Sequence, residues 1–446
     1  MKQKLSLFDF TMIVVGLVIG MGIFRTAATS AKYALTPSIY FAAWIIGGLV
    51  AICGALTYAE IGSRYPITGG YFRIFSYAYH PSIAFAINCV ILISNAASLS
   101  GVALIGSGYL SKVIFAEPAS DFTISMIAVI AIIIFYCVNL MGLKMSAKTQ
   151  NVLMIIKISM ILILIAALFM PAIHNAPQTA VVNISTTETS YSWGEIIKSL
   201  GLCLIAVSFT YGGYQQTINF GSEVDKPSKN IPRGIFFGIT IIIVLYLLAN
   251  LSYYNVIGFS QLQGEKEIAS VVATKMFGDT GGNIFSALLF LSVLAYVNAL
   301  LMSNPRVMFA MSEDGVLPKI FKKKTEKRDV LVTSLTTFAA VCIVILFFAQ
   351  TFEKILGFTI FLDCFGMVLS SASIFSLRKR TKHLDGTGIY SMKLYPLLPI
   401  IFMVAYTFVA ISIAMDDWKT AATGIGVLTA FMIIYFVTRK KNTTNK

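Results

Sequence analysis

Twelve apolar stretches, each long enough to cross a bilayer, constrain this chain more than any other feature. They run over 7–31, 37–62, 81–110, 122–143, 150–171, 196–221, 233–258, 284–311, 330–350, 354–377, 394–415 and 419–438. A hydrocarbon core about 30 Å thick takes about 20 helical residues to span. Backbone polar groups in lipid must be satisfied within the structure, which leaves helices or a closed barrel. The barrel signature, alternating strands of about ten residues, is absent. Composition agrees: 57% of the 446 residues are hydrophobic and 12% charged, against roughly 25% charged in soluble domains. So little charge cannot cover a soluble surface, which excludes an ordinary soluble enzyme, a disordered chain and a nucleic-acid-binding domain. The expected fold is an all-α polytopic membrane protein with twelve transmembrane helices.

The net charge of +14 has a use other than an anionic partner. Alternate loops on one side of the twelve spans carry 24 Lys and Arg, those on the other side 7. Such an excess marks the cytoplasmic side and puts both termini in the cytoplasm of an inner-membrane, multi-pass protein. Lys2 and Lys4 ahead of the first span, with AATSA behind it, resemble a signal peptide, but Asp9 and Arg25 inside the segment and eleven further spans argue for a retained helix. The six cysteines all sit in apolar runs without CxxC spacing, which reads as packing and not as a disulfide framework or zinc site. No metal, cofactor or catalytic motif is visible, so an enzyme is not expected.

Two spans carry glycine interruptions. The first reads VVGLVIGMGIFR, with Gly20 and Gly22 around Met21, and the sixth reads SFTYGGYQQ, with Gly212 beside Gly213. They begin two five-span blocks, one entered from the cytoplasm and the other from outside, so the blocks have opposite topology. Paired interruptions in corresponding helices of inverted repeats point to a transporter's binding site, although small residues also serve helix packing in lipid. Unwinding frees backbone groups. N–H groups around Gly20, Met21 and Gly22 suit a carboxylate, and carbonyls around Ile19, Phe209 and Thr210 suit an ammonium. Phe209 beside the second break reads as a cover for the ligand, and Tyr211 and Tyr214 read either as further cover or as plain packing.

Three charged residues are out of place in lipid. Lys157 lies in NVLMIIKISMILILIAALF, roughly 10 Å from the cytoplasmic end at 1.5 Å per residue. A lysine at such depth is costly and usually functional. It is expected to bridge broken span one to span eight in place of a sodium ion, with proton coupling left open. Asp363, in GFTIFLDCFG, reads as a gating group or as a packed hydrogen-bonding residue. Glu60, one turn before Arg64, reads as a gating candidate or as a local ion pair at the cytoplasmic mouth.

These segments together resemble the amino acid–polyamine–organocation superfamily, most closely bacterial permeases near the L-type amino acid transporter family. IGMGIF (19–24) resembles its IGSGIF, and FTYGGY (209–214) its FAYGGW. YAEIGSRYPITGGYFRIFSYAY (58–79), GSEVDKPSKNIPRG (221–234) and RVMFAMSEDGVLPKIF (306–321) are similar to its loops after spans two, six and eight. The resemblance covers at least residues 7–377.

It implies a five-plus-five inverted repeat with broken helices one and six and two extra helices. The repeats would be 1–172 and 196–377, followed by helices eleven and twelve over 394–438 and a basic tail over 439–446. It implies an amino acid carrier working by alternating access, with Ile19, Gly20, Met21, Gly22, Phe209, Thr210, Gly212 and Tyr214 around the substrate, Phe209 as gate and Lys157 in place of sodium. Met21 stands where the family has serine and Tyr214 where it has tryptophan. The 111–121 loop holds no cysteine, so no disulfide-linked heavy chain is expected. A polyamine or organic-cation permease is the alternative, but it would want carboxylates that the breaks do not offer. A channel or membrane sensor, the alternative from another class, would want filter loops, rings of charge or an extramembrane domain.

Overall fold

Helix starts are set by short polar side chains at the ends of the apolar runs. Ser6 accepts from the Asp9 N–H at 3.1 Å while the Asp9 carboxylate accepts from the Ser6 N–H at 3.1 Å. Ser192 and Glu195 repeat this capping box, which satisfies N–H groups that a helix end leaves without partners. Thr36 with Pro37, His80 with Pro81, and Ser120 open three further helices.

The computed structural model describes residues 5–20, 22–115, 118–170, 191–265, 267–325, 329–348 and 352–443. In chain order the helices are α1 (Leu7–Val18), α2 (Gly22–Tyr33), α3 (Pro37–Arg64), α4 (Gly70–Ala78), α5 (Pro81–Ile114), α6 (Asp121–Leu140), α7 (Leu143–Ala166) and α8 (Trp193–Tyr211). Then follow α9 (Pro227–Ile257), α10 (Phe259–Gly264), α11 (Ile268–Glu313), α12 (Val332–Phe348), α13 (Phe352–Arg380), α14 (Leu397–Asp416) and α15 (Trp418–Thr443). No strand is present among the described residues; two isolated bridges, Leu5 with Val224 and Thr68 with Phe220, tie loops together.

The fold is all-helical and polytopic, with 11 helices long and apolar enough to cross a membrane. The expected ninth crossing is a shorter apolar helix, Val332–Phe347. The eighth is longer than its apolar run: α11 starts at Ile268, and its path breaks at Gly278, where φ is +73°. That left-handed conformation suits glycine, and the polar DTGGN stretch around it hid the extension from a hydropathy reading. The loop expected over 63–80 contains α4, whose start packs so closely on the residues after α8 that a Cβ on Gly70 would lie 2.4 Å from the Ile218 carbonyl oxygen.

Polarity is inverted relative to a soluble protein. Ile45, Leu49, Ile133, Val152, Val244 and Val404 are exposed, whereas Asn95, Asn139, Gln150, Asn250, Asn298 and Asn304 are buried. The buried amides bond between helices. Asn139 donates to the Asn298 Oδ1 at 2.9 Å and Asn298 donates to the Gln150 Oε1 at 2.8 Å, joining α6, α11 and α7. In lipid, where helices gain no hydrophobic drive to associate, such bonds are worth about 0.6–2 kcal/mol each.

Candidate functional site

The two glycine interruptions are real breaks, and they meet. Helix α1 ends at Ile19, whose ψ of 87° is not helical, and α2 resumes at Gly22. Helix α8 ends at Tyr211; Gly212 is extended and Gly213 has φ +113°. A Cβ on Gly213 would lie 2.1 Å from the Leu17 carbonyl oxygen, so only glycine permits this approach. On the other flank, the Thr210 hydroxyl bonds the Thr26 hydroxyl and donates to the Ala206 carbonyl at 2.8 Å. A Cβ on Gly22 would meet the Thr210 Oγ1 and Cγ2 at 2.8 Å.

A cavity enclosing about 600 Å³, its mouth included, lies at this crossing. Gly20, Gly22, Phe209, Thr210 and Gly212 line it, which brings five of the eight expected ligand contacts together. Met21 lies outside the described residues. Ile19 is fully buried behind the wall, and its carbonyl accepts from the Lys157 ammonium at 2.5 Å. That carbonyl is therefore engaged by lysine instead of waiting for a substrate ammonium.

The expected free carbonyls of Phe209 and Thr210 also have partners. Gly212 N–H donates to Phe209 at 3.3 Å, and the Tyr246 hydroxyl lies 3.3 Å from the Thr210 oxygen and 3.4 Å from that of Val18. A carbonyl oxygen carries two lone pairs and can accept from two donors.

Tyr214 is not in the cavity wall. It is fully buried against Tyr58, with ring centroids 5.9 Å apart, and its hydroxyl lies where a Cβ on Gly54 would sit, 2.2 Å away. The chain enters a 3-10 turn over Tyr214–Asn219 directly after Gly213. The turn sends Tyr214 into the helix packing and presents Gln215 and Gln216 to the cavity. Tyr211, likewise, packs on Trp44 and Tyr246.

Sequence reasoning missed the opposite wall: Asn95 and Ser98 of α5, Tyr296 of α11 and Tyr406 of α14 line the cavity. Tyr296 bonds Ser98 at 2.8 Å, and its ring is what a Cβ on Gly20 would meet at 3.4 Å. Below them Gln216 donates to Asn95 at 2.8 Å and Asn95 donates to Asn304 at 2.7 Å. The available signal was an asparagine between serines in an apolar helix, ILISNAASLS.

Lys157 is fully buried, and Ile19 is its hydrogen-bond partner among the described residues. The expected contact with span one is present. No hydrogen bond from the ammonium to span eight is found among the described residues, although α7 and α11 pack side by side. Asp363 lines the cavity from α13 and accepts from the Ser94 hydroxyl at 3.0 Å. The site therefore holds a carboxylate, and it comes from span ten, while the breaks themselves offer none.

Glu60 is remote from the cavity. It accepts from Arg64 at 2.6 Å, from Arg378 through both oxygens at 2.7 Å, and from the Met392 N–H at 2.8 Å. The local ion pair is present, enlarged by a second arginine. Arg64 reaches on to Asp385 at 2.6 Å, and this holds the Asp385 carboxyl below the usual range. On the same loop-bearing end Arg306 binds Glu223 at 2.7 Å and covers the Phe220 ring, while Arg73 pairs with Glu313 at 2.6 Å and with Asp314. The three loop segments singled out in the sequence are thus held to one another or to neighbouring helix ends by charge.

Two discontinuous helices crossing at glycines beside a central cavity define a class, the membrane transporters built on broken helices. The family follows. The family model described as amino acid permease matches residues 5–439, nearly the whole chain, and the protein belongs to that family. The serine/threonine exchanger SteT of Bacillus subtilis strain 168 is 26% identical, with 99% of this chain and 98% of SteT covered. The branched-chain amino acid permease BcaP of the same organism is 26% identical, with 99% and 94% covered. The human cystine/glutamate transporter is 25% identical, with 98% and 85% covered.

Proposed function

We propose that this chain is a sodium-independent amino acid carrier of the cytoplasmic membrane, working by alternating access as an exchanger or proton symporter. The observation that carries it is the meeting of the two breaks around one cavity, with the Lys157 ammonium on the Ile19 carbonyl. In this reading the N–H groups at the start of α2 take the substrate carboxylate, where the helix dipole favours negative charge. The Phe209 and Thr210 carbonyls take the α-ammonium, and Phe209 closes over it. Lys157 holds the unwound segment in shape with a fixed charge where other carriers would need a bound cation. The relatives named for amino acids, one of them an exchanger, support the substrate class.

The same reading takes residues 1–172 and 196–377 as inverted repeats, 394–438 as two added helices and 439–446 as a basic tail. It places both termini in the cytoplasm on the 24-to-7 bias of Lys and Arg. The arginine clusters then close the cytoplasmic end, and opening toward the cytoplasm separates them. Glu60 serves that closure. A disulfide-linked heavy chain and a nucleic acid have no part in it.

Uptake of a panel of radiolabelled amino acids into proteoliposomes, empty or preloaded with the same compound, tests the proposal. Saturable uptake accelerated by preloading identifies an exchanger, and uptake into empty vesicles driven by an inward proton gradient a symporter. No saturable uptake of any member under either condition overturns it.

A further inference from the structure

The far wall of the cavity carries an acceptor-rich end that the proposed binding of the α-groups leaves unused. Asp363 faces the cavity, and Ser94 is the one hydrogen-bond donor to its carboxylate among the described residues. No Lys or Arg lines the cavity, and none pairs with Asp363 among the described residues. Gln216, 4% exposed and lining the same cavity, has an Oε1 without a donor among the described residues. A carboxylate withdrawn into a membrane protein interior is costly unless paired, and such residues face substrate or ion routes.

A chain of contacts links this end to the breaks. Gly20 abuts the Tyr296 ring, the Tyr296 hydroxyl bonds Ser98, and Ser94 lies one turn along α5 from Ser98 with Asp363 on its hydroxyl. A tyrosine side chain and a helical turn therefore separate Asp363 from the groups that would hold a substrate's α-carboxylate. In this arrangement a ligand anchored at the breaks would meet Asp363 with its side chain.

We propose that Asp363 is the specificity residue of this site and that the carrier takes amino acids with a cationic side chain, an ammonium or guanidinium at the end of a chain of three or four carbons. Such a group brings several donors and no acceptor, the complement of a carboxylate and an unpaired amide oxygen. This rests on the amino acid carrier reading above and narrows it.

Binding of L-lysine, L-ornithine, L-arginine, L-norleucine and L-alanine to the purified full-length protein tests it, with the wild type and Asp363→Asn. The wild type is expected to bind lysine or ornithine at least about tenfold tighter than norleucine, which has lysine's chain without the ammonium. In Asp363→Asn that preference is expected to vanish, with norleucine affinity within twofold of wild type. If Asp363→Asn does not fold, the wild-type comparison still decides the substrate class, and Asp363→Ser takes the variant's place in testing the residue.

Norleucine or alanine binding as tightly as lysine overturns this inference and leaves the carrier reading intact. Failure of all five overturns this inference and leaves the carrier reading to the uptake panel, whereas cadaverine binding as well as lysine removes the α-group site and with it the carrier reading. Loss of proton-driven uptake in Asp363→Asn with an unchanged lysine-to-norleucine ratio would make Asp363 a proton carrier, and also overturns the inference.

Discussion

The contact between Gly22 and Thr210 can be tested as a pair. Ordinary carbon contacts lie near 3.5–4.0 Å, whereas a methyl group at residue 22 would sit 2.8 Å from two Thr210 atoms. Thr210 cannot turn aside freely, because its hydroxyl bonds both Thr26 and the Ala206 carbonyl. Gly22→Ala therefore forces the two breaks apart, and overpacking of this kind costs about 1–3 kcal/mol. If that strain falls on the substrate-bound geometry, affinity drops by about 5- to 150-fold. Thr210→Ala alone forfeits two hydrogen bonds, about 0.5–1.5 kcal/mol each. In the double variant the two nearest clashing atoms are gone and the contact with the Cβ of residue 210, at 3.0 Å, remains, so part of the clash is relieved. Dissociation constants for the best-bound member of the amino acid panel, measured on the four proteins, should show a coupling of about 1–2 kcal/mol. Effects that add within about 0.5 kcal/mol would refute the contact and the crossing of the breaks with it.

Initial uptake at clamped potential should be equal in sodium and in choline, and Lys157→Ala should lose transport; a several-fold stimulation of the wild type by sodium would refute the fixed-cation role. Glu60→Gln removes the charge that Arg64 and Arg378 share, leaving Arg64 only Asp385 as a charge partner among the described residues; breaking a buried pair costs up to about 3–5 kcal/mol, and an unchanged thermal midpoint in detergent would contradict this. Asp385 titrates lower folded than unfolded, so its stabilising contribution is present above the ordinary range near pH 3.9 and is lost as pH falls through the folded value. Acidification below about pH 4 should thus loosen the 381–393 segment, seen as faster hydrogen exchange after correction for intrinsic rates, and Asp385→Asn should produce the same loosening at pH 7.

The crossings were legible because lipid imposes length and apolarity together, and the breaks because glycines interrupt two otherwise apolar helices in corresponding places. Lys157 was legible as an anomaly of depth, and its contact with span one followed. Directions around the breaks were not legible. Tyr214 neighbours Gly213 in sequence, but a left-handed glycine followed by the 3-10 turn over Tyr214–Asn219 rotates it away and brings Gln215 and Gln216 in. Nor does sequence tell which carbonyls a distant side chain occupies: Tyr246 reaches both breaks from α9, and nothing local to LYLLAN announces it. Asp363 stood out as a charge in lipid, yet only the packing of α13 against α5 puts it in the cavity wall.

The bare approach of Gly213 to the Leu17 carbonyl has a kinetic consequence. With no side chain between them, the two backbones have no slack to slide separately, so the halves of the site behave as one rigid jaw. A substrate held by its carboxylate on one half and its ammonium on the other then cannot peel off end by end. Release should be a single concerted event, giving one exponential phase with no long-lived half-bound species.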